Sequence, residues 1–215
     1  METYTKRFHD RHLYLNIDEN EAEGLDHDIF EALIAEYGKP LQSIVSSASV
    51  HVVGLLTQAG FIRKRTCYPM NVSKADLSAP LSDRPCTLTE TRRGTPDFDA
   101  CAERMFAYYR DTHAAVSPLT ASEAMFAEEL PDTALYTEMN GRIAGAFVEE
   151  NEIAYVFSDP GTDFGRFADA LLSVMFDRFL RIEFEADDTD PAAMLLRNRF
   201  SFEPSEHFDT YIKMP

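Results

Sequence analysis

The stretch SDPGTDFGRFADALL, residues 158–172, sets two glycines, Gly161 and Gly165, and an arginine, Arg166, in a turn that opens an apolar-striped helix. The chemistry suited to such a turn is anion binding. A helix N-terminus offers unpaired N–H donors and the positive end of its dipole, and glycines allow close backbone approach. A guanidinium adds charge and paired donors. A second stretch, DPAAMLLRNRFSF at 190–202, starts a shorter helix with an Asp-Pro pair fit for the cap and first position, and it carries Arg197. Two other clusters have less to offer. HDRH spaces His9 and His12 around Asp10 without a third ligand of matching spacing, and EFEADDTD has the charge of a calcium loop without its alternating ligands or central glycine. No metal is expected.

These residues belong to a chain of 215 residues, 45% hydrophobic, enough for the core of one large domain or two small ones. Its 37 acidic and 20 basic residues give a formal charge of −17, which repels nucleic-acid backbones and anionic membranes and draws in a cationic small molecule or basic peptide. No apolar run reaches the roughly 18 residues of a membrane span, and METYTKRFHDRH has no apolar signal core, so a cytoplasmic protein is expected. Cys67, Cys86 and Cys101 form neither a pair nor a regular spacing and are read as buried, reduced thiols.

Sliding the chain along itself by 141 residues superposes His12–Phe61 on Ile153–Phe202 without a gap, with Tyr14 on Tyr155, Asp18 on Asp159, Gly24 on Gly165 and Leu55 on Leu196. Both stretches read as strand, turn, amphipathic helix, strand and short helix. The apolar stripe Ile29, Phe30, Leu33, Ile34 and Tyr37 falls on Ala170, Leu171, Val174, Met175 and Arg178. Strand-like tails follow each, IRKRTCYPMNV and EPSEHFDTYIKMP. The pattern predicts an internal repeat.

Upstream the two copies differ. The first has only Met1–Arg11 before it. The second has a strand in CTLTETRRG, a helix capped by Thr95 with Pro96 at its first position, and a second helix with a capping box of Thr120 and Glu123. Three antiparallel strands follow, TALYTEM, RIAGAFVEE and IAYVFS, joined at Asn140-Gly141 and Asn151-Glu152. NVSKADLSAPLSDRP reads as a linker. The expected domains are 1–82, a half-domain, and 83–215, a complete one.

In this order of elements the second half resembles the GNAT superfamily of acetyl-CoA-dependent N-acetyltransferases, and the first copy resembles only the latter half of that fold. The resemblance implies an α+β fold, a mixed and mostly antiparallel sheet flanked by helices, with a partial N-terminal repeat. The family's R/Q-x-x-G-x-G/A turn cradles the pyrophosphate of coenzyme A. Here Pro160 and Ala168 match its frame, Asp163 stands for the Arg or Gln, Arg166 for the first Gly, and Gly165 lies one place early. Of the family's N-P-A-x-x-L-Y, Pro191, Ala192 and Leu196 match. Asp190 replaces Asn, and Arg197 replaces the tyrosine that protonates the departing thiolate in many members.

What the resemblance implies is acetyl transfer from acetyl-CoA to a primary amine of a small molecule or peptide, cationic in character. The pyrophosphate would lie at Gly161, Thr162, Gly165, Arg166 and Phe167, the pantetheine along Phe157 and Ser158, and Arg197 near the thiolate or a phosphate. Proton-transfer candidates are Asp159, Glu149 and Glu150 as bases, with Tyr155 and Tyr211 as acids. Leu56 holds the tyrosine position in the first copy and offers no chemistry. Nucleic acid and membrane are not expected partners, and a homodimer is left open as the assembly. Two other readings stand beside this one: a lapsed member that binds or regulates, and a half-copy that serves as a docking surface.

Overall fold

The computed structural model describes residues 1–83 and 86–215. In chain order its elements are β1 (Glu2–Lys6), β2 (His9–Asn16), α1 (Glu19–Ala22), α2 (Asp28–Tyr37), β3 (Leu41–Ser46), α3 (Val50–Gln58) and β4 (Ile62–Ser73). Then come β5 (Thr89–Arg92), α4 (Pro96–His113), α5 (Glu123–Glu129), β6 (Thr133–Met139), β7 (Arg142–Glu149) and β8 (Glu152–Ser158). The chain closes with α6 (Phe164–Arg178), β9 (Arg181–Asp187), α7 (Pro191–Arg197) and β10 (Phe208–Lys213). Among the described residues no helix is long and apolar enough to cross a membrane.

Two compact units result: Met1–Tyr68 with His113–Ala121 and Ser205–Pro215, and Pro69–Thr112 with Ser122–Pro204. In the first, the strand order is β1-β2-β3-β10-β4, with β2 and β3 parallel and β10 antiparallel to both of its neighbours. Its core gathers Leu13, Leu15, Phe30, Leu41, Leu56 and Tyr211, with Phe30 edge-on to Phe61 at 5.1 Å. Of the stripe on α2 only Phe30 is fully buried, while Tyr37 is exposed. The strand β4 leaves this unit at Pro69, whose missing N–H removes a rung from any ladder there.

In the second unit the order runs from the end of β4 through β9, β8, β7 and β6 to β5. The strands β6, β7 and β8 form an antiparallel meander, turned at Asn140 and Gly141, both with positive φ (56° and 74°), as a type I′ hairpin requires. Gly145 lets the ring of Phe157 lie flat on β7, since a Cβ there would come within 2.5 Å of it. The buried apolar face of α6, Phe164, Phe167, Leu171, Leu172 and Met175, recurs at helical spacing and explains why this segment forms the longer of the two related helices.

A shift of 141 residues sets β1, β2, α2, β3, α3 and β4 on β7, β8, α6, β9, α7 and β10 in the same order. The two tail strands pair away from the stretches they follow. β10 lies beside β3 through six register pairs, and the end of β4 lies beside β9. The boundary expected at residue 82 therefore differs from these units: β10 completes the first, because the edge of β3 accepts it in full antiparallel register.

Several local expectations are corrected. The second helix is capped by Ser122, which accepts from Met125 N at 3.3 Å, whereas Thr120 donates its N–H and hydroxyl to Phe8 O. The turn after β7 is at Glu150, with φ 49°, one place before the expected pair. The linker is partly ordered. Asn71–Ser73 belong to β4, a 3-10 turn follows at Lys74–Asp76 with Ser73 and Asp76 in a capping box, and Leu77 bridges Phe200. Its residues 84 and 85 lie outside the described residues. Cys101 is buried, and burial pushes its thiol up to about 12, but Cys67 and Cys86 are only half-buried. His12 is held by Gln42 Oε1 at 2.6 Å and His9 by Pro118 O at 3.3 Å.

Candidate functional site

The turn between β8 and α6 is built by short-range bonds. Asp159 N donates to Ile143 O at 2.9 Å, and Thr162 N returns to Asp159 O at 3.1 Å, closing the turn over Gly161. Gly161 has φ 76°, which only glycine adopts without strain, and a Cβ on it would meet Arg142 Nη1 at 2.2 Å. That Nη1 donates to Gly161 O at 2.9 Å. Asp163 caps α6 by accepting from Arg166 N at 3.3 Å. The carbonyl of Gly165 accepts from Arg199 Nη2 at 2.7 Å, and the same nitrogen is 3.0 Å from the buried carboxylate of Asp169. Thr162 Oγ1 is buried with no hydrogen-bond partner.

The structure thus brings together Ser158, Gly161, Thr162, Gly165 and Arg166 in one turn. Arg166 is exposed at the third position of the helix. Phe157 and Phe167 are buried and their rings serve the core, so only their backbone can face a ligand. Arg142 and Arg199 were not singled out by the sequence, because the fold carries them in from 19 and 34 residues away.

The proton-transfer candidates separate. Asp159 is committed: its Oδ2 accepts from Arg104 Nη1 at 2.6 Å and from Ile143 N at 2.8 Å, the role of a structural ion pair. Tyr155 lies in an aromatic cluster with Tyr109 (6.2 Å) and Phe126 (5.9 Å), and burial, then Glu129, Glu152 and Glu185, raise its pKa. Tyr211 is in the core of the first unit, not with the other candidates, and burial raises its hydroxyl too. Arg197 is mostly buried and paired with the carboxylate of Glu203.

Two residues overlooked by the sequence reading stand out. Glu152, exposed at the start of β8, has its carboxyl raised by partial desolvation and then by Glu185, Glu149 and Glu183. Tyr108 on α4 donates its hydroxyl to Asp190 at 2.6 Å and accepts from Ala192 N at 3.0 Å, joining α4 to the head of α7. Burial first, and then Asp190, push its pKa far up. It is a brace rather than an acid.

β8 and β9 run parallel and pair at Glu152↔Glu183, near their N-terminal ends, with Glu183 N donating to Asn151 O at 2.9 Å. No other β8–β9 pair is present among the described residues, so the edge of β8 near Phe157 and Ser158 is not laddered to β9. In the first unit, the region corresponding to the turn is a recess of about 350 Å³ lined by Glu23, His27 and His51, where Glu23 and His51 approach to 3.3 Å.

No protein-family model matches the chain, and no curated protein matches it. Solved structures do. A GCN5-related N-acetyltransferase from Sphaerobacter thermophilus is 14% identical with a TM-score of 0.52, over 99% of this chain and 75% of its own. Another from Kribbella flavida is 14% identical with a TM-score of 0.53, over 94% of this chain and 80% of its own. The order of strands and helices around the β8–α6 turn is therefore the fold of the GCN5-related N-acetyltransferases.

Proposed function

We propose that the second unit is an acetyl-CoA-dependent N-acetyltransferase that acetylates a primary amine of a small molecule or peptide. The observation that carries this reading is the β8–α6 junction, where a glycine with φ 76° turns the chain into a 15-residue helix and two guanidinium groups, Arg142 and Arg199, bond the carbonyls of Gly161 and Gly165. Such a junction suits a pyrophosphate. The unladdered edge of β8 at Phe157 and Ser158 suits the amide groups of a pantetheine arm, which need backbone partners in strand geometry.

In acetyl transfer the amine nitrogen attacks the thioester carbonyl, a C–N bond forms, the C–S bond breaks, and the thiolate leaves. The attacking amine must shed a proton. Glu152 fits the base, since its carboxyl pKa is raised by desolvation and by the neighbouring acids Glu185, Glu149 and Glu183. The neighbouring Glu149, Glu183 and Glu185 favour a cationic acceptor, in keeping with the net charge of −17.

The first unit fits a degenerate half-copy. Its elements follow the same order at an offset of 141 residues, yet Leu56 falls where Arg197 lies, and acids line the turn region. A second reading, a lapsed member that binds without turnover, is favoured by Arg197, whose guanidinium is engaged by Glu203. The test is a panel of amines with acetyl-CoA and a free-thiol readout, alongside calorimetric titration. Turnover supports transfer, binding alone supports the lapsed reading, and neither would point to an architectural role.

A further inference from the structure

We infer that Asp159 and Arg104 are positioning residues, an assignment that rests on the proposed acetyl-CoA site: they fix the backbone of the β8–α6 turn and meet none of the reacting atoms. The ladder between β7 and β8 is paired through Ala144↔Ser158, and the next rung would join Ile143 to Asp159. Half of that rung is ordinary, since Asp159 N donates to Ile143 O at 2.9 Å. The other half is not. Ile143 N donates at 2.8 Å to the carboxylate Oδ2 of Asp159 instead of to its carbonyl. That carbonyl is left to accept from Thr162 N at 3.1 Å and from Ser158 Oγ at 3.2 Å, and the first of these bonds closes the turn over Gly161.

A side chain thus takes the place of the backbone in the last rung and releases the chain to turn. A carboxylate folded back on its own sheet needs a partner to keep it from water, and α4 supplies one. Arg104 Nη1 lies 2.6 Å from the same Oδ2, in a half-buried pair. Asp159 therefore commits its N–H and carboxylate to β7 and α4 and its carbonyl to the turn, which suits a strut better than a base. On β7 the neighbouring Arg142 holds Gly161 O, so the start of that strand bonds the turn at two places. Without the Arg104–Asp159 pair the carbonyl of Asp159 is free to return to Ile143 N, and the turn opens at Thr162.

The test sets Arg104→Met and Asp159→Asn, each in the full chain, beside the unmodified protein. Both should raise KM for acetyl-CoA by about tenfold, the scale of one charge-assisted hydrogen bond, and leave kcat and the KM for the amine unchanged. Combining them should add little, because each breaks the same pair. Arg104→Lys keeps the charge and should recover part of the loss. A pair with no bearing on the site would lower the melting temperature and leave KM alone. Unchanged KM for acetyl-CoA in Arg104→Met would overturn the inference, and so would a kcat lost only in Asp159→Asn, the mark of a base. Hydrogen exchange without ligand reads the turn directly: protection of Thr162 N should fall in both variants, and protection equal to that of the unmodified chain would also overturn the inference. Absence of acetyl-CoA binding to the unmodified chain would instead overturn the proposed function, and exchange at Thr162 N would still decide whether the pair holds the turn.

Discussion

The two strand–turn–helix junctions of the chain, β2 to α2 and β8 to α6, share a plan and differ in what the turn contains. After β8 the chain reverses at one glycine and enters a single helix, with Arg142 bonded to Gly161 O and Arg199 to Gly165 O and with Arg166 exposed in its first turn. After β2 it makes a four-residue helix first, α1, with Glu19 and Glu21 in its first turn. Glu19 then accepts from His51 N at 2.8 Å at the head of α3. A carboxylate thus sits at each junction, Glu19 at the head of α3 in the first unit and Asp163 at the head of α6 in the second, where Arg142 and Arg199 also bond the carbonyls of the turn. The two junctions therefore differ both in their charges and in the backbone, since the first inserts a short helix where the second turns at Gly161.

The largest expected effect concerns the exchanged tails. Removing Ser205–Pro215 deletes β10 from between β3 and β4, with the buried Tyr211 and Ile212 and six register pairs. The loss should be on the order of 5 kcal/mol or more, from side-chain burial and ladder bonds together. Hydrogen exchange should show protection lost in β3. Retained protection would mean that the first unit stands without its borrowed strand. For the same reason a fragment of residues 1–82 should not fold cooperatively.

A smaller effect tests the contrast at Leu56 and Arg197, which occupy matching places in α3 and α7. Leu56 is fully buried in the first unit's core, whereas Arg197 reaches Glu203. Leu56→Arg should cost about 3–5 kcal/mol, because it buries a charge without a partner. Urea denaturation measures this, and a loss under about 1 kcal/mol would show a path to solvent absent from the fold described above.

Glu152 gives a pH-dependent prediction. Its folded pKa is raised, so the native state favours the protonated carboxyl, and any stability linked to it is present below the unfolded value of about 4.3 and lost as pH rises through the folded one. Glu152→Gln should therefore match the unmodified chain near pH 4 and melt slightly later at pH 7–8. As a base, the carboxyl works only when ionised. The same substitution should lower kcat/KM by about 100-fold and flatten the rise of rate with pH through that raised pKa. A rate unchanged by the substitution would remove Glu152 from the reaction.

Much of this was legible in the sequence where causes are local. The glycines at 161 and 165, the helix stripe and the Asn140-Gly141 hairpin depend on residues within one turn of each other. Asp159 looked like a base because its own strand says nothing of Arg104, which α4 brings from 55 residues away. The raised carboxyl of Glu152 escaped notice because β9 supplies two of the acids around it. The placement of β10 was hidden for the same reason. Alternation specifies that a segment is a strand and which face is apolar, but not which of two edges it joins.

Under the proposed function the β8–α6 turn, and not its counterpart in the first unit, receives acetyl-CoA. Calorimetric titration of the full chain carrying Gly161→Ala, against one carrying Gly24→Ala, tests it most directly. At Gly161 a Cβ is strained by φ 76° and collides with Arg142, whereas at Gly24 its nearest neighbour is Glu21 O at 3.9 Å. Gly161→Ala should weaken acetyl-CoA at least about tenfold, in line with the roughly 1–2 kcal/mol of a left-handed non-glycine residue, and Gly24→Ala should leave it unchanged. Equal affinities for the two variants, or stronger loss at Gly24, would contradict the claim.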